Sequence, residues 1–449
     1  MDVSFFPMRR LVPFVLMLAA AVAPASACSS SSPDEPRAGS PAPAEKLAAA
    51  ELPAIDLDAP SGWGPTRGEL EQAGQLVTAM PVEDQAWQVL MPAFWGVRAD
   101  EVTAPEADRN RTSHGVDTIA EALSAQRYGG LFVRPDSINN ARQVGELVEA
   151  LHSEGDLPDG LPLLVSVDQE GGAVQRIKEG VTRLPTARTI GMHGDVDLAR
   201  RIARDNGEEL RALGFTMVLA PVADVDRIGN ELVASRSYST SYAEAAAMVN
   251  AAVQGYLDAG IIPVVKHFPG HGSVVGDSHH SLPVQSKSVA ELMRSDLRPF
   301  EAVIKAGAPA VMSGHIAVPD IEAGMPASLS AGMVQGVLRE RLGFPGLVVT
   351  DSQGMGPVYG EYGSGGAAVR SLLAGNDLVL NSPDADKAHK AVVQAVGSGR
   401  LPAARLSDAA TRVVAIRLYQ QRIGSDQPDL SVLRSPEHLA DVAEVGVIG

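Results

Sequence analysis

The chain has 449 residues, a formal charge of −17 and 45% hydrophobic content. That length and composition support a large core in one to three domains. No basic stripe stands against the acidic balance, which argues against a nucleic-acid partner because nothing is placed to neutralise phosphates. Local Lys and Arg can still hold an anionic ligand within an acidic whole.

Residues 1–27 have the form of an export signal: Arg9-Arg10, an apolar stretch from Leu11 to Val22, then Ala25-Ser26-Ala27. The apolar stretch is too short, and too broken by Pro13 and Pro24, to read as a membrane span. Cys28, the single cysteine, follows those small residues directly. Its place resembles the acylated cysteine of bacterial lipoproteins, although Ala25 stands where leucine is usual. The expectation is therefore an exported protein, anchored in the membrane by a lipid on Cys28 or else released. One cysteine leaves no disulfide and no zinc site built from thiolates. Residues 28–62, rich in Ser, Pro and Ala without periodicity, read as a disordered tether.

From residue 63 to about 423 short apolar runs alternate with helical patterns. The runs are Gln88 to Val97, Gly129 to Val133, Leu163 to Val167, Met217 to Ala220, Ile262 to Val265, Ala310 to Ser313, Leu347 to Thr350 and Leu378 to Leu380. Helices are predicted over Asn139 to Leu151, Leu198 to Leu213, Tyr242 to Leu257 and Met333 to Leu342, with Gly214, Gly260 and Gly343 as stops. Eight such runs predict an α/β fold with a parallel sheet, closed as a single (β/α)8 barrel of the TIM type. An open doubly wound sheet is the rival. Polar residues decide between them, because Asp168, Asp224, Lys266, His315, Asp351 and Asn381 follow strand after strand. In a barrel all of these converge on one mouth. Asp384 to Ile423 reads as a last helix or two over the outside, and residues 424–449 as an extension without clear signal.

The densest chemistry is Lys266-His267-Phe268-Pro269-Gly270-His271-Gly272, followed by Asp277-Ser278-His279. So many ionisable groups on a Gly-rich segment suit proton transfer and the grip of a polar ligand, since burying them unpaired costs several kcal/mol each. Asp277 lies two residues from His279 and can fix its tautomer; His280, adjacent, is not separated from His279 by physics alone. Asp351, at a strand end, is a candidate nucleophile, with a helix N-cap as the plainer reading. The glycines form no dinucleotide fingerprint, and no cofactor is expected. The loop from Gly270 to Gly276 is predicted to be mobile.

Three ordered runs resemble the β-N-acetylglucosaminidase branch of glycoside hydrolase family 3. They are the Lys266 to Pro283 segment, Val167-Asp168-Gln169-Glu170-Gly171-Gly172 with Arg176, and Val348-Val349-Thr350-Asp351 ending at Met355. Ser273-Val274 and Ser352 depart from residues frequent in that family. The resemblance implies a retaining exo-β-N-acetylglucosaminidase acting on terminal non-reducing β-linked GlcNAc, such as that of peptidoglycan fragments. It implies Asp351 as nucleophile, His279 as acid/base and Asp277 as its partner. Asp168, Arg176, Arg236, Lys266 and His267 would bind the sugar. His271 would support the loop, with His315 behind the site. A phosphorylase or β-glucosidase on the same fold is the nearest alternative. A metal-dependent hydrolase using His267, His271, His279 and His280 is a more distant one, and a non-catalytic binding lipoprotein another. Nothing in the sequence fixes an oligomeric state.

Overall fold

The computed structural model describes residues 56–155, 161–278 and 281–446. The predicted signal, the acylation site Cys28 and most of the tether lie outside the described residues, as do His279 and His280.

All eight predicted strands form: β1 (Leu90–Met91), β2 (Gly130–Phe132), β3 (Leu164–Val167), β4 (Met217–Val218), β5 (Ile262–Phe268), β6 (Ala310–Ser313), β7 (Leu347–Thr350) and β8 (Val379–Leu380). They are parallel, so each carries a run of apolar residues covered on both faces rather than an alternating pattern. β5 is buried along all seven of its residues. Strands β2 to β7 make one six-stranded parallel sheet in sequential order, and β1 pairs with β8, Leu90 opposite Val379. Backbone bonds also cross the two remaining seams. Phe132 N–H donates to Pro92 O at 2.9 Å between β2 and β1, and Thr350 N–H to Leu378 O at 2.9 Å between β7 and β8.

The helices lie between strands, as the crossover rule for parallel neighbours requires. Val196–Ala212 starts at Asp195, whose carboxylate accepts from the backbone of Asp197 and Leu198, and Tyr242–Asp258 starts at Ser241. Gly214 and Gly260 follow these helices with φ of +89° and +73°, the left-handed turn that a side chain resists. The predicted helix near Met333 is wound as a π-helix over Gly332–Arg341.

Three boundaries differ from the sequence reading. Residues 56–62, assigned to the tether, are bonded to the body: Gly68 N–H donates to Leu57 O and Ser61 N–H to Pro65 O. Helix Ala403–Ile423 does not simply cover the outside. Its fully buried Arg417 donates to Pro162 O and Leu161 O, just ahead of β3, so it closes the N-terminal end of the sheet. The extension carries a helix, Pro436–Glu444, lying against Val196–Ala212. Its pattern is short and its face is charged, which is why hydropathy missed it.

Candidate active site

The C-terminal ends of the strands gather the ionisable residues. Lys266, inside β5, is almost wholly buried, so its ammonium needs partners. It finds two: Nζ lies 2.7 Å from Asp168 Oδ1, just past β3, and 2.6 Å from Glu170 Oε1. Glu170 is shared. Arg236 meets it as a fork, Nε donating to Oε2 at 2.7 Å and Nη2 to Oε1 at 2.8 Å. Burial alone would raise the Glu170 pKa, but Lys266 and Arg236 outweigh it and hold the carboxyl below the ordinary range. Burial would likewise lower the Lys266 pKa; Asp168 and Glu170 reverse this and keep the amine charged.

A second carboxylate organises the loop that follows. Asp224 has no exposed side-chain surface. Its Oδ2 accepts from His267 Nδ1 at 2.7 Å, while Oδ1 accepts the backbone N–H groups of His267 at 3.3 Å and His271 at 2.7 Å. That fixes His267 with its proton on Nδ1 and its Nε2 facing Arg236 Nη2 at 3.5 Å. His271 turns its backbone to Asp224, yet neither ring nitrogen has a hydrogen-bond partner. Burial pushes its pKa down, so it is a neutral imidazole.

Asp351 follows β7 and is half-buried. Ser352 N–H donates to its Oδ1 at 2.8 Å. His315 acts on the same turn from behind, donating from Nε2 to Ser352 O at 2.9 Å and accepting from Ser328 Oγ at Nδ1. Burial would raise the Asp351 pKa, but His267, His315 and Lys266 hold it down, so it is a carboxylate at neutral pH. Among the described residues no Lys, Arg or His nitrogen lies within ion-pair distance of it, although Asp168, Glu170 and Asp224 are each tied to one.

Of the predicted sugar-binding residues, Asp168, Arg236, Lys266 and His267 form this network. Arg176 stands outside it: its backbone N–H donates to Gln169 Oε1 at 2.8 Å, and its buried Nε has no partner. Asp277 is half-buried, and its expected pairing with His279 falls outside the described residues. Gly270 to Val274 are anchored rather than loose. Ser273 Oγ donates to Asp296 Oδ1, and Val274 O accepts from Asn230 Nδ2. A Cβ on Gly272 would collide with the Val225 backbone.

The reading from sequence gave Glu170 no role and counted Asp224 only among the polar residues at the strand ends. The signal for Glu170 was its i+2 spacing from Asp168, which in the extended hairpin Gln169–Gly171 sends both carboxylates the same way.

Beside Ser352 a cavity of about 390 Å³ opens between Trp95, Arg134, His114 and Asn381, with the Arg134 guanidinium 4.4 Å over the Trp95 ring. A larger cavity, about 890 Å³, lies beside Arg211, Gly214 and Thr216, ahead of β4 and away from the gathered carboxylates. Chemistry rather than volume therefore marks the site.

Residues 82–416 match the family described as glycosyl hydrolase family 3 N terminal domain, a span that takes in every strand and every residue of this network. The chain belongs to glycosyl hydrolase family 3. A beta-hexosaminidase of Xylella fastidiosa is 41% identical over 264 residues, covering 58% of this chain and 77% of the relative. The beta-hexosaminidase LpqI of Mycobacterium tuberculosis is 34% identical over 316 residues, covering 68% of this chain and 80% of LpqI. A solved family 3 β-N-acetylglucosaminidase from Paenibacillus superposes with a TM-score of 0.73 at 33% identity, over 82% of this chain and 68% of that one.

Proposed function

We infer that this family 3 chain is a retaining exo-β-N-acetylglucosaminidase, hydrolysing terminal β-linked GlcNAc from peptidoglycan fragments on a closed (β/α)8 barrel. Closure is supported by the backbone bonds at both seams between β8, β7, β1 and β2. The activity is supported by relatives named beta-hexosaminidase. One observation carries the mechanism: of the four carboxylates Asp168, Glu170, Asp224 and Asp351, only Asp351 is not held by a cationic or imidazole nitrogen among the described residues. A carboxylate with its charge uncommitted can oppose the oxocarbenium-like transition state and then bond to the anomeric carbon.

In the first step Asp351 attacks that carbon while His279 delivers a proton to the departing glycosidic oxygen. In the second, the now neutral His279 takes a proton from water, whose oxygen displaces Asp351. Asp277 stabilises the imidazolium. Asp168, Lys266, Arg236 and His267, already ordered by Glu170 and Asp224, hold the sugar hydroxyls, with Arg176 adding its open guanidinium edge. Export and acylation at Cys28 would hold the enzyme at the membrane surface, facing the wall.

The test is release of nitrophenol from β-GlcNAc and β-glucoside derivatives by the chain and by Asp351→Ala. Turnover of the GlcNAc derivative alone, lost in the variant, is expected. Equal use of both sugars would overturn the specificity, and an active Asp351→Ala would overturn the nucleophile.

A further inference from the structure

Away from the mouth, helix Pro436–Glu444 meets helix Val196–Ala212 through a cluster of side chains that the reaction does not use. We propose that His438, Glu208 and Asp205 bind a divalent transition-metal ion, of which Zn2+ is the best fit, and so tie the C-terminal helix to the body. Ligand atoms of these three residues all lie within 4.8 Å of one another. His438 Nε2 is 3.1 Å from Glu208 Oε2 and 3.9 Å from Asp205 Oδ1. Ligands at zinc bond lengths of 2.0–2.2 Å stand roughly 3.4 Å apart in a tetrahedron. The two separations bracket that value, the Asp205 one measured at the oxygen that also meets Arg204, so a turn of the Asp205 carboxylate with a small side-chain shift completes the geometry.

Three further features point to an ion rather than to a simple ion pair. Asp205 is 1% exposed, yet its Oδ2 has no hydrogen-bond partner. A buried carboxylate oxygen left empty is costly, and a cation satisfies it. Arg204 holds the other side of the acids: it donates to Asp205 Oδ1 at 2.9 Å and stands 3.6 Å from Glu208 Oε1. Asp205 Oδ2 is thereby left for another partner, and Glu208 Oε2 faces His438 Nε2 rather than Arg204. Behind the imidazole, His438 Nδ1 lies 3.1 Å from Glu209 Oε1. Glu209 is itself fixed by the Thr182 hydroxyl and backbone. A metal-bound histidine nearly always gives its second nitrogen to such a carboxylate. One nitrogen and two oxygens suit Zn2+, with water completing the shell. Binding displaces the proton from His438 Nε2 into solvent, with no redox change.

The full chain, freed of metal by chelator and dialysis, would be titrated with Co2+ and separately with Zn2+. One equivalent of Co2+ should give visible d–d absorption bands, and saturating Zn2+ should raise Tm by about 2 °C or more. Both effects should be lost in His438→Ala and reduced at least tenfold in affinity in Asp205→Asn, which keeps the shape of the side chain. The kcat on a GlcNAc glycoside should not change with metal, so failure here and failure of the glycosidase reading are told apart. Absence of saturable Co2+ binding, or binding that survives in His438→Ala, would overturn the proposal and leave the cluster a network of ion pairs.

Discussion

Neutralising Glu170 is the most discriminating perturbation of the site. Glu170→Gln keeps size and one acceptor but removes the charge shared by Lys266 and Arg236, whose side chains are 3% and 14% exposed. Lys266 retains Asp168 at 2.7 Å, whereas Arg236 loses its fork. Removing one partner of a buried pair leaves the other charge uncompensated and costs about 3–5 kcal/mol. The body from Ile55 to Gly449 melts with an entropy of roughly 0.8 kcal/mol per kelvin at the usual value per residue, so Tm should fall by about 4–6 °C. Loosened donors should also reduce kcat/KM on a GlcNAc glycoside by about 100-fold. Calorimetry and initial rates on the same preparation measure both. A double-mutant cycle with Arg236→Gln should give a coupling of about 1–3 kcal/mol. A Tm within about 1 °C of the parent would refute the claim that this charge holds the site together.

Three other outcomes follow from the geometry. Asp224→Asn cannot hold His267 in its present tautomer while also accepting two backbone N–H groups, so kcat/KM should drop by about 100-fold or more with little change in Tm; an unaltered rate would sink that role. Gly272→Ala must displace the Val225 backbone, and should lower stability by about 1–3 kcal/mol in urea titration; no change would show that the turn yields freely. Burial pushes the His114 pKa down to about 4. Its folded value is below its unfolded one, so its contribution is complete above about pH 6.5 and is lost as pH falls toward 4. Urea midpoints should therefore fall more steeply over that window in the parent than in His114→Gln, and parallel profiles would contradict it.

Much of the fold was legible because parallel strands write themselves plainly. A run such as Leu347 to Thr350 is apolar, rich in β-branched residues and bounded by a glycine and an acid, so it has few other readings. The C-terminal elements were harder. Arg417 is a charged residue in a buried helix, and its bonds to Pro162, Leu161 and Gln88 depend on residues more than 250 positions away. No local pattern announces such a contact. The same holds for Pro436–Glu444, whose docking rests on His438 and Asp441 meeting Glu208, Glu209 and Arg201 rather than on an apolar stripe.

At the site, residue types were legible and their division of labour was not. Asp168, Glu170, Asp224 and Asp351 are acids that follow stretches of apolar chain; position and family resemblance singled out Asp351 and Asp168, while residue type alone treats all four alike. Distance separates them. Three stand 2.6–2.7 Å from a cationic or imidazole nitrogen, so their charge is already committed in the resting site. Lys266 is near enough to bias Asp351 electrostatically, yet its ammonium contacts Asp168 and Glu170 instead. That arrangement matters for catalysis. If Asp351 is the nucleophile, as proposed, closure of Lys266 or Arg236 on it would stabilise the ground state and would have to be broken during attack, which raises the barrier. Glu170 therefore does more than stabilise two buried cations. On the mechanism proposed above, it holds them where sugar hydroxyls would use them and away from Asp351, the carboxylate that would oppose the transition-state charge.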